Sequence, residues 1–263
     1  MANHTRKKMY INETNIGFYL IIAILGLIIG QFFDLINHRL SGHKKIFTKD
    51  MLREYKMEFK PNYILILANS LIYIMLVYHY GIQDSFISNL TLIKYLILTP
   101  LLLSAFAIDY KLQIIPNRLN LTIAEIGVVI AFLYGMSNVA ITIDMLLGMI
   151  AGAGIFLLIT LIGGLIYGKE AMGLGDVKLM GALGLYFGLS NIIIIAIISF
   201  LIGAILGVIL IVFRVKKSNE YIPFGPFIVI ATFICMFVPT EVLLEVLMTI
   251  FTLGMYNKKV WKL

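Results

Sequence analysis

The chain has 263 residues, 60% of them hydrophobic and only 13% charged, with a mean hydropathy of +0.97 and a formal net charge of +7. A soluble globular domain is nearer ~45–50% apolar and ~25% charged, so a cytosolic enzyme, a disordered chain and a secreted disulfide scaffold are excluded. At ~20 apolar residues per transmembrane helix the chain fills about seven or eight spans, which makes it an all-α polytopic membrane protein with one integral domain over 1–263.

The N-terminal tail carries Arg6, Lys7 and Lys8, and the first apolar run is Ile16 to Asn37. That run is too long for a signal peptide and no small-x-small cleavage site follows it, so it reads as a retained helix. The basic segment 38–61 comes next, followed by apolar runs at Tyr63–Tyr80, Leu92–Ile108, Leu121–Met136 and Met145–Tyr167. Val177–Phe213 is nearly continuous. As one helix its 37 residues would reach ~55 Å against a hydrocarbon core of ~30 Å, so it is expected to double back at Gly188-Leu-Ser-Asn191. Phe224–Val238 makes a short eighth span. Residues 241–256 read as an interfacial helix, the rival being a ninth span. Gly148/Gly152, Gly184/Gly188 and Gly203/Gly207 suit close helix contacts in lipid.

Basic residues orient the spans. Segment 38–61 carries Arg39, Lys44, Lys45, Lys49, Arg53, Lys56 and Lys60. Connections 109–119, 168–178 and 214–223 add Lys111, Arg118, Lys169, Lys178, Arg214, Lys216 and Lys217. The intervening connections 81–91, 137–144 and 188–191 hold neither Lys nor Arg, only Asp84 and Asp144. The basic set is therefore expected in the cytoplasm and the N-terminal tail outside. Lys94, near the outer end of the third span, is expected to snorkel.

Ionisable residues inside or bordering spans are costly and so are candidates for function. Here they are Asp34, Asp109, Glu125 and Asp176. There is no Gly-x-Ser-x-Gly elbow and no His-Glu-x-x-His, and Cys235 is the sole cysteine, so serine, zinc-protease and cysteine-rich metal chemistry have no support. Asp109 ends the third span, and Asp176 starts the sixth within Gly173-Leu-Gly-Asp-Val-Lys178. Both fall at the expected cytoplasmic edge. Two carboxyls ~3 Å apart share a proton because both cannot ionise. One then acts as base on a water while the other polarises a scissile carbonyl. Gly173 and Gly175 supply backbone freedom beside Asp176.

Simpler readings stand beside these. A lone interfacial Asp caps a helix or faces solvent. Glu125 snorkels or pairs with Arg118, and Asp34 pairs with Arg39 or Lys44. Lys178 is a positive-inside anchor, or else it contacts substrate. Pro223, Gly225 and Pro226 mark either a plain helix entry or an unwound segment lining the site.

Gly173-Leu-Gly-Asp176 resembles the Gly-x-Gly-Asp signature of membrane aspartic proteases. The longer string Gly173-Leu-Gly-Asp-Val-Lys-Leu-Met-Gly-Ala-Leu-Gly184 is similar to the type IV prepilin leader peptidases. The Asp109 segment with Ile115-Pro-Asn-Arg-Leu119, the element Ile222-Pro-Phe-Gly-Pro-Phe227 and the helix ending Gly30-Gln-Phe-Phe-Asp-Leu-Ile-Asn-His-Arg-Leu40 resemble further blocks of that family, in family order. The resemblance implies an aspartic endopeptidase of the cell (inner) membrane. It would remove the short basic leader of type IV prepilins or pseudopilins, after a glycine, on the cytoplasmic side, for type IV pili or protein secretion. It implies Asp109 and Asp176 as the catalytic pair within a peptidase core at 92–238. Gly173, Gly175, Lys178, Pro223, Phe224, Gly225 and Pro226 are the substrate-binding candidates. Proteolysis implies no metal and no cofactor, and the partners are prepilins and membrane lipid, with no nucleic acid.

Two departures matter. Bifunctional members carry paired Cys-x-x-Cys motifs in the first cytoplasmic loop and also N-methylate the trimmed pilin. Residues 38–61 contain no cysteine, which rules out a tetrathiolate zinc site there and sets methylation in question. S-adenosylmethionine is a cofactor only if methylation is retained. Asp34 stands where the family usually has Asn. The competing functions are a preflagellin-type leader peptidase and, from another class, a proton-coupled secondary transporter. The transporter would want midplane acids and an internal repeat.

Overall fold

The computed structural model describes residues 10–11, 14–42, 60–83, 85–167, 172–213 and 222–252. A two-residue antiparallel ladder, Tyr10–Ile11 with Thr14–Asn15, leads into the first helix. The described helices are α1 (Ile16–Ser41), α2 (Tyr63–Tyr80), α3 (Phe86–Leu112), α4 (Asn117–Gly135), α5 (Val139–Tyr167), α6 (Leu174–Val212), α7 (Gly225–Phe237) and α8 (Thr240–Phe251). Among the described residues, α1 to α6 each contain a stretch long and apolar enough to cross a membrane, and α7 is apolar but shorter. The chain is an all-α, multi-pass membrane protein.

The expected runs are all helical, but several helices extend past the apolar residues. α3 continues to Leu112 and α5 begins at Val139, because a helix continues through polar residues until capping or proline ends it. Asp109 is therefore inside the last turn of α3 rather than beyond it. Gln113 closes that helix in the left-handed region (φ 57), its N–H donating to the Asp109 carbonyl at 2.8 Å, an αL termination. Pro116 then sits at the N-cap of α4.

α6 is two helices meeting at a break. Gly188 lies at φ 73, ψ −179, a backbone state essentially confined to glycine. The two arms pack on the same face of α5. A Cβ built on Gly152 would meet the Met180 carbonyl on one arm and Ile192 on the other. Further along, Phe156 packs against Phe200. Only a run that doubles back at Gly188 can do this, as its length requires. Gly148 and Gly184 meet backbone to backbone, and a Cβ on Gly184 would lie 2.2 Å from the Gly148 carbonyl carbon.

The break exposes helix ends, and charged side chains close them. Lys94 donates from Nζ to the Tyr186 carbonyl at 2.7 Å, among the rings of Tyr95, Tyr134 and Phe187. Asp144 accepts from the Leu189 N–H at 3.2 Å. The expectation that Lys94 snorkels is thus corrected. Lys94 is buried because an interrupted helix offers it an unpaired carbonyl and the favourable end of a helix dipole. A second interruption is settled similarly. Pro100 in α3 has no N–H for the Leu96 carbonyl, and the Tyr73 hydroxyl donates to that oxygen at 2.7 Å.

Adjacent helices run antiparallel, so the connections gather at two ends. α1 and α2 meet from Gly26 against Ser70 to Asp34 against Asn62. Asp34 is buried and accepts the Asn62 N–H at 2.6 Å, tying α1 to the start of α2. Its expected partner Lys44 lies outside the described residues. One end of the bundle collects Asp34, Asn62, the α3–α4 turn and the starts of α6 and α7. The other collects Gly81, Tyr134, Asp144 and Gly188. α8 packs at that second end, Thr240 donating to the Asn191 side chain at 2.6 Å and Leu243 and Leu247 buried. Its 12 residues reach ~18 Å, short of a span, and residues 253–256 of the expected helix are outside the described set.

Candidate active site

Three helix termini bring the candidate residues together. Asp109 comes from the last turn of α3, Asp176 from the first turn of α6, and Gly225 opens α7. Asp109 is 2% exposed and Asp176 3%. Their neighbouring glycines meet at one residue, Ile115, which packs against both Gly175 and Gly225. This is an unusual place for two acids, since burying carboxyls without ion partners is expensive.

Each aspartate is held by its own terminus. Asp109 Oδ2 accepts the backbone N–H of Gly225 at 2.9 Å, so the positive end of α7 faces a carboxyl. Asp176 donates its backbone N–H to the Gly173 carbonyl at 3.0 Å as α6 begins. Its side-chain Oδ1 is buried without a hydrogen-bond partner among the described residues. One oxygen of the pair is thus engaged by backbone, and one on the opposite residue is uncommitted. Among the described residues no third His, Cys, Asp or Glu joins the pair in a cluster that could hold a metal ion.

Two residues to which the sequence reading gave no role of their own, one of them the first of the Ile115–Leu119 block, assemble this arrangement. Ile115, buried in the α3–α4 turn, is wedged between the two glycines. A Cβ on Gly175 would lie 3.2 Å from Ile115 Cβ, and one on Gly225 would lie 3.1 Å from Ile115 Cδ1. Asn120 is buried on α4 and donates from Nδ2 to the Gly175 carbonyl at 2.9 Å. The one sequence signal for Asn120 is an amide flanked by Leu119 and Leu121 in an apolar run.

The remaining candidates separate by position. Gly173 and Gly175 border Asp176. Lys178 is exposed and donates to the Asn117 side chain at 2.7 Å, joining the starts of α6 and α4. Pro223 precedes the turn into α7, Pro226 occupies its first turn, and Phe224 packs with Phe156, Phe200 and Phe227. This segment is a plain helix entry, with Gly225 and Pro226 already helical, and its contact with the pair is the Gly225 N–H on Asp109. Glu125 is exposed on α4.

Residues 96–208 match the type IV leader peptidase family. The chain is 37% identical over 141 residues to the prepilin leader peptidase/N-methyltransferase of Pseudomonas aeruginosa, covering 54% of this chain and 48% of that one. It is 35% identical over 140 residues to the protein of that name in Legionella pneumophila, covering 52% and 47%. For the one in Aeromonas hydrophila the figures are 33% over 141 residues, covering 54% and 48%. The chain spans about half the length of the curated relatives it matches. No solved structure matches it.

Proposed function

We propose, from the match of residues 96–208 to the type IV leader peptidase family, that the chain is an aspartic endopeptidase cutting the basic leader from type IV prepilins or pseudopilins. Asp109 and Asp176 are its catalytic pair. The observation that carries the reading is the burial of these two carboxyls together, at one end of the bundle, with the N-terminus of α7 on one of them. Both aspartates lie inside the segment that matches the family.

The mechanism follows from the pair. The two carboxyls share one proton. The ionised member draws a proton from a water, which attacks the scissile carbonyl carbon. The protonated member donates to the carbonyl oxygen as charge develops there. The proton count belongs to the pair. The space beside Gly175 is taken by Ile115, so an extended substrate strand approaches Asp176 past Gly173. The pair faces the cytoplasm of the cell membrane, a side supported by the basic residues Lys60, Lys111, Arg118 and Lys178 at that end of the bundle.

Methyl transfer is kept out of the proposal, because residues 38–61 contain no cysteine. A transporter is disfavoured because the paired acids sit at helix ends rather than at the midplane. The test mixes purified protein with a prepilin in detergent and scores leader removal by mass. Asp109→Asn and Asp176→Asn should each abolish cleavage while expression and membrane insertion persist. Near wild-type cutting by either variant would sink the dyad. A methyl gain on the product, dependent on S-adenosylmethionine, would add the second activity.

A further inference from the structure

We propose that a lipid-facing groove between α1 and α4, floored by α3, docks the apolar helix of the prepilin while its leader junction enters the aspartate pair. The proposal rests on the leader-peptidase reading and names where that substrate binds.

The groove is a cavity of about 530 Å³. α1 packs on α2 and α3 but stands apart from α4, and the space left between them is the groove. Its α1 wall runs from Leu25 to Leu40, about 22 Å at 1.5 Å per residue, most of a hydrocarbon core of ~30 Å. Ile97 and Pro100 lie on the floor, and Thr122 and Ile126 on the α4 wall. Ile97 and Thr122 are exposed, so the groove opens sideways to lipid. A trough of this length and volume takes the side-chain ridge along one face of a helix.

Its position favours a substrate helix over other occupants. At the end nearest the aspartates the groove meets a second cavity of about 360 Å³, with which it shares Leu40 and Arg118. That second cavity is lined by Ile115, the residue wedged between Gly175 and Gly225 beside the two aspartates. The path from the groove through the second cavity therefore leads to Ile115, which packs against the glycines beside the two aspartates. A substrate whose helix stays in the bilayer while its leader is cut needs such a path. Arg118, the one charged residue among those lining the groove, sits at its end, where its head can stay at the membrane surface.

Ile97→Trp and Thr122→Trp fill the floor and the wall with an indole. For full-length prepilin in proteoliposomes, each should raise KM about tenfold with kcat nearly unchanged, the signature of lost binding alone. A water-soluble peptide spanning only the leader junction should be cut as by the wild type. Leu161→Trp, on an exposed face of α5, should change neither. Wild-type KM for prepilin in both groove variants would overturn the groove. A wild-type enzyme that cuts neither prepilin nor peptide would instead overturn the leader-peptidase reading, and the groove assignment with it. Should the Trp variants fail to insert, benzoylphenylalanine at position 97 or 122 serves in their place. Photo-cross-links to prepilin are expected there and not at position 161, and cross-links to lipid alone would overturn the proposal.

Discussion

Gly225 touches Asp109 in two ways. Its N–H holds the carboxyl, and its missing side chain leaves room for it, since a Cβ there would lie 2.6 Å from Asp109 Oδ2. Gly225→Ala keeps the N–H but forces the carboxyl out of its observed place. A displacement near 1 Å from productive geometry costs on the order of 10²-fold in rate. Turnover of prepilin should fall by about that factor while the thermal midpoint in detergent stays close to wild type. Unchanged turnover would mean that Asp109 need not occupy its observed place. Asp109 and Asp176 can be picked out as candidates from the sequence, because acids are scarce in this chain and these two border spans, and the structure buries both at one end of the bundle. Ile115 and Asn120 are not legible in that way. Isoleucine in an apolar protein carries no signal, and an amide's partner, here the Gly175 carbonyl, is set by through-space packing.

At the level of elements, the long apolar stretch shows what chain length can and cannot reveal. A run of 39 helical residues exceeds the bilayer, so a reversal is required, and Gly188-Leu-Ser-Asn191 is the weakest helix-forming stretch within it. How the exposed ends are satisfied is invisible in the sequence, because Lys94 and Asp144 are remote in the chain and converge only when α3 and α5 pack on α6. Gly188 is held in place from both directions. Its φ of 73° disfavours any side chain, and a Cβ would fall 1.9 Å from Asp144 Oδ2. Gly188→Ala should therefore cost at least ~1–3 kcal/mol for the backbone state alone, with Asp144 displaced from the Leu189 N–H in addition. Denaturation in detergent reads the loss. A variant as stable as wild type would mean that the reversal tolerates another backbone state.

The whole molecule puts its chemistry at one end, and that polarity can be checked without any activity assay. Antiparallel packing of α1 through α5 and the reversal in α6 force the ends into two sets. Asp109, Asp176, Lys111 and Lys178 are together, and Tyr134, Met136, Asp144 and Gly188 are opposite. This sorting comes from helix contacts alone, yet it agrees with the sorting of basic residues along the sequence. Lys94, the cation in the transmembrane part of the second set, is the exception that its carbonyl partner accounts for. Because Cys235 is the single cysteine, Cys235→Ala gives a background in which one introduced thiol reports one side of the membrane. Met136→Cys is exposed at the second end and Lys111→Cys at the first. A membrane-impermeant maleimide added to intact cells should label Met136→Cys and spare Lys111→Cys, and inverted vesicles should reverse the pattern. Labelling of Lys111→Cys from outside would place the aspartates on the far side from the ribosome, where a leader peptidase acting before export could not meet its substrate. The fold would stand, but the proposed reaction would not.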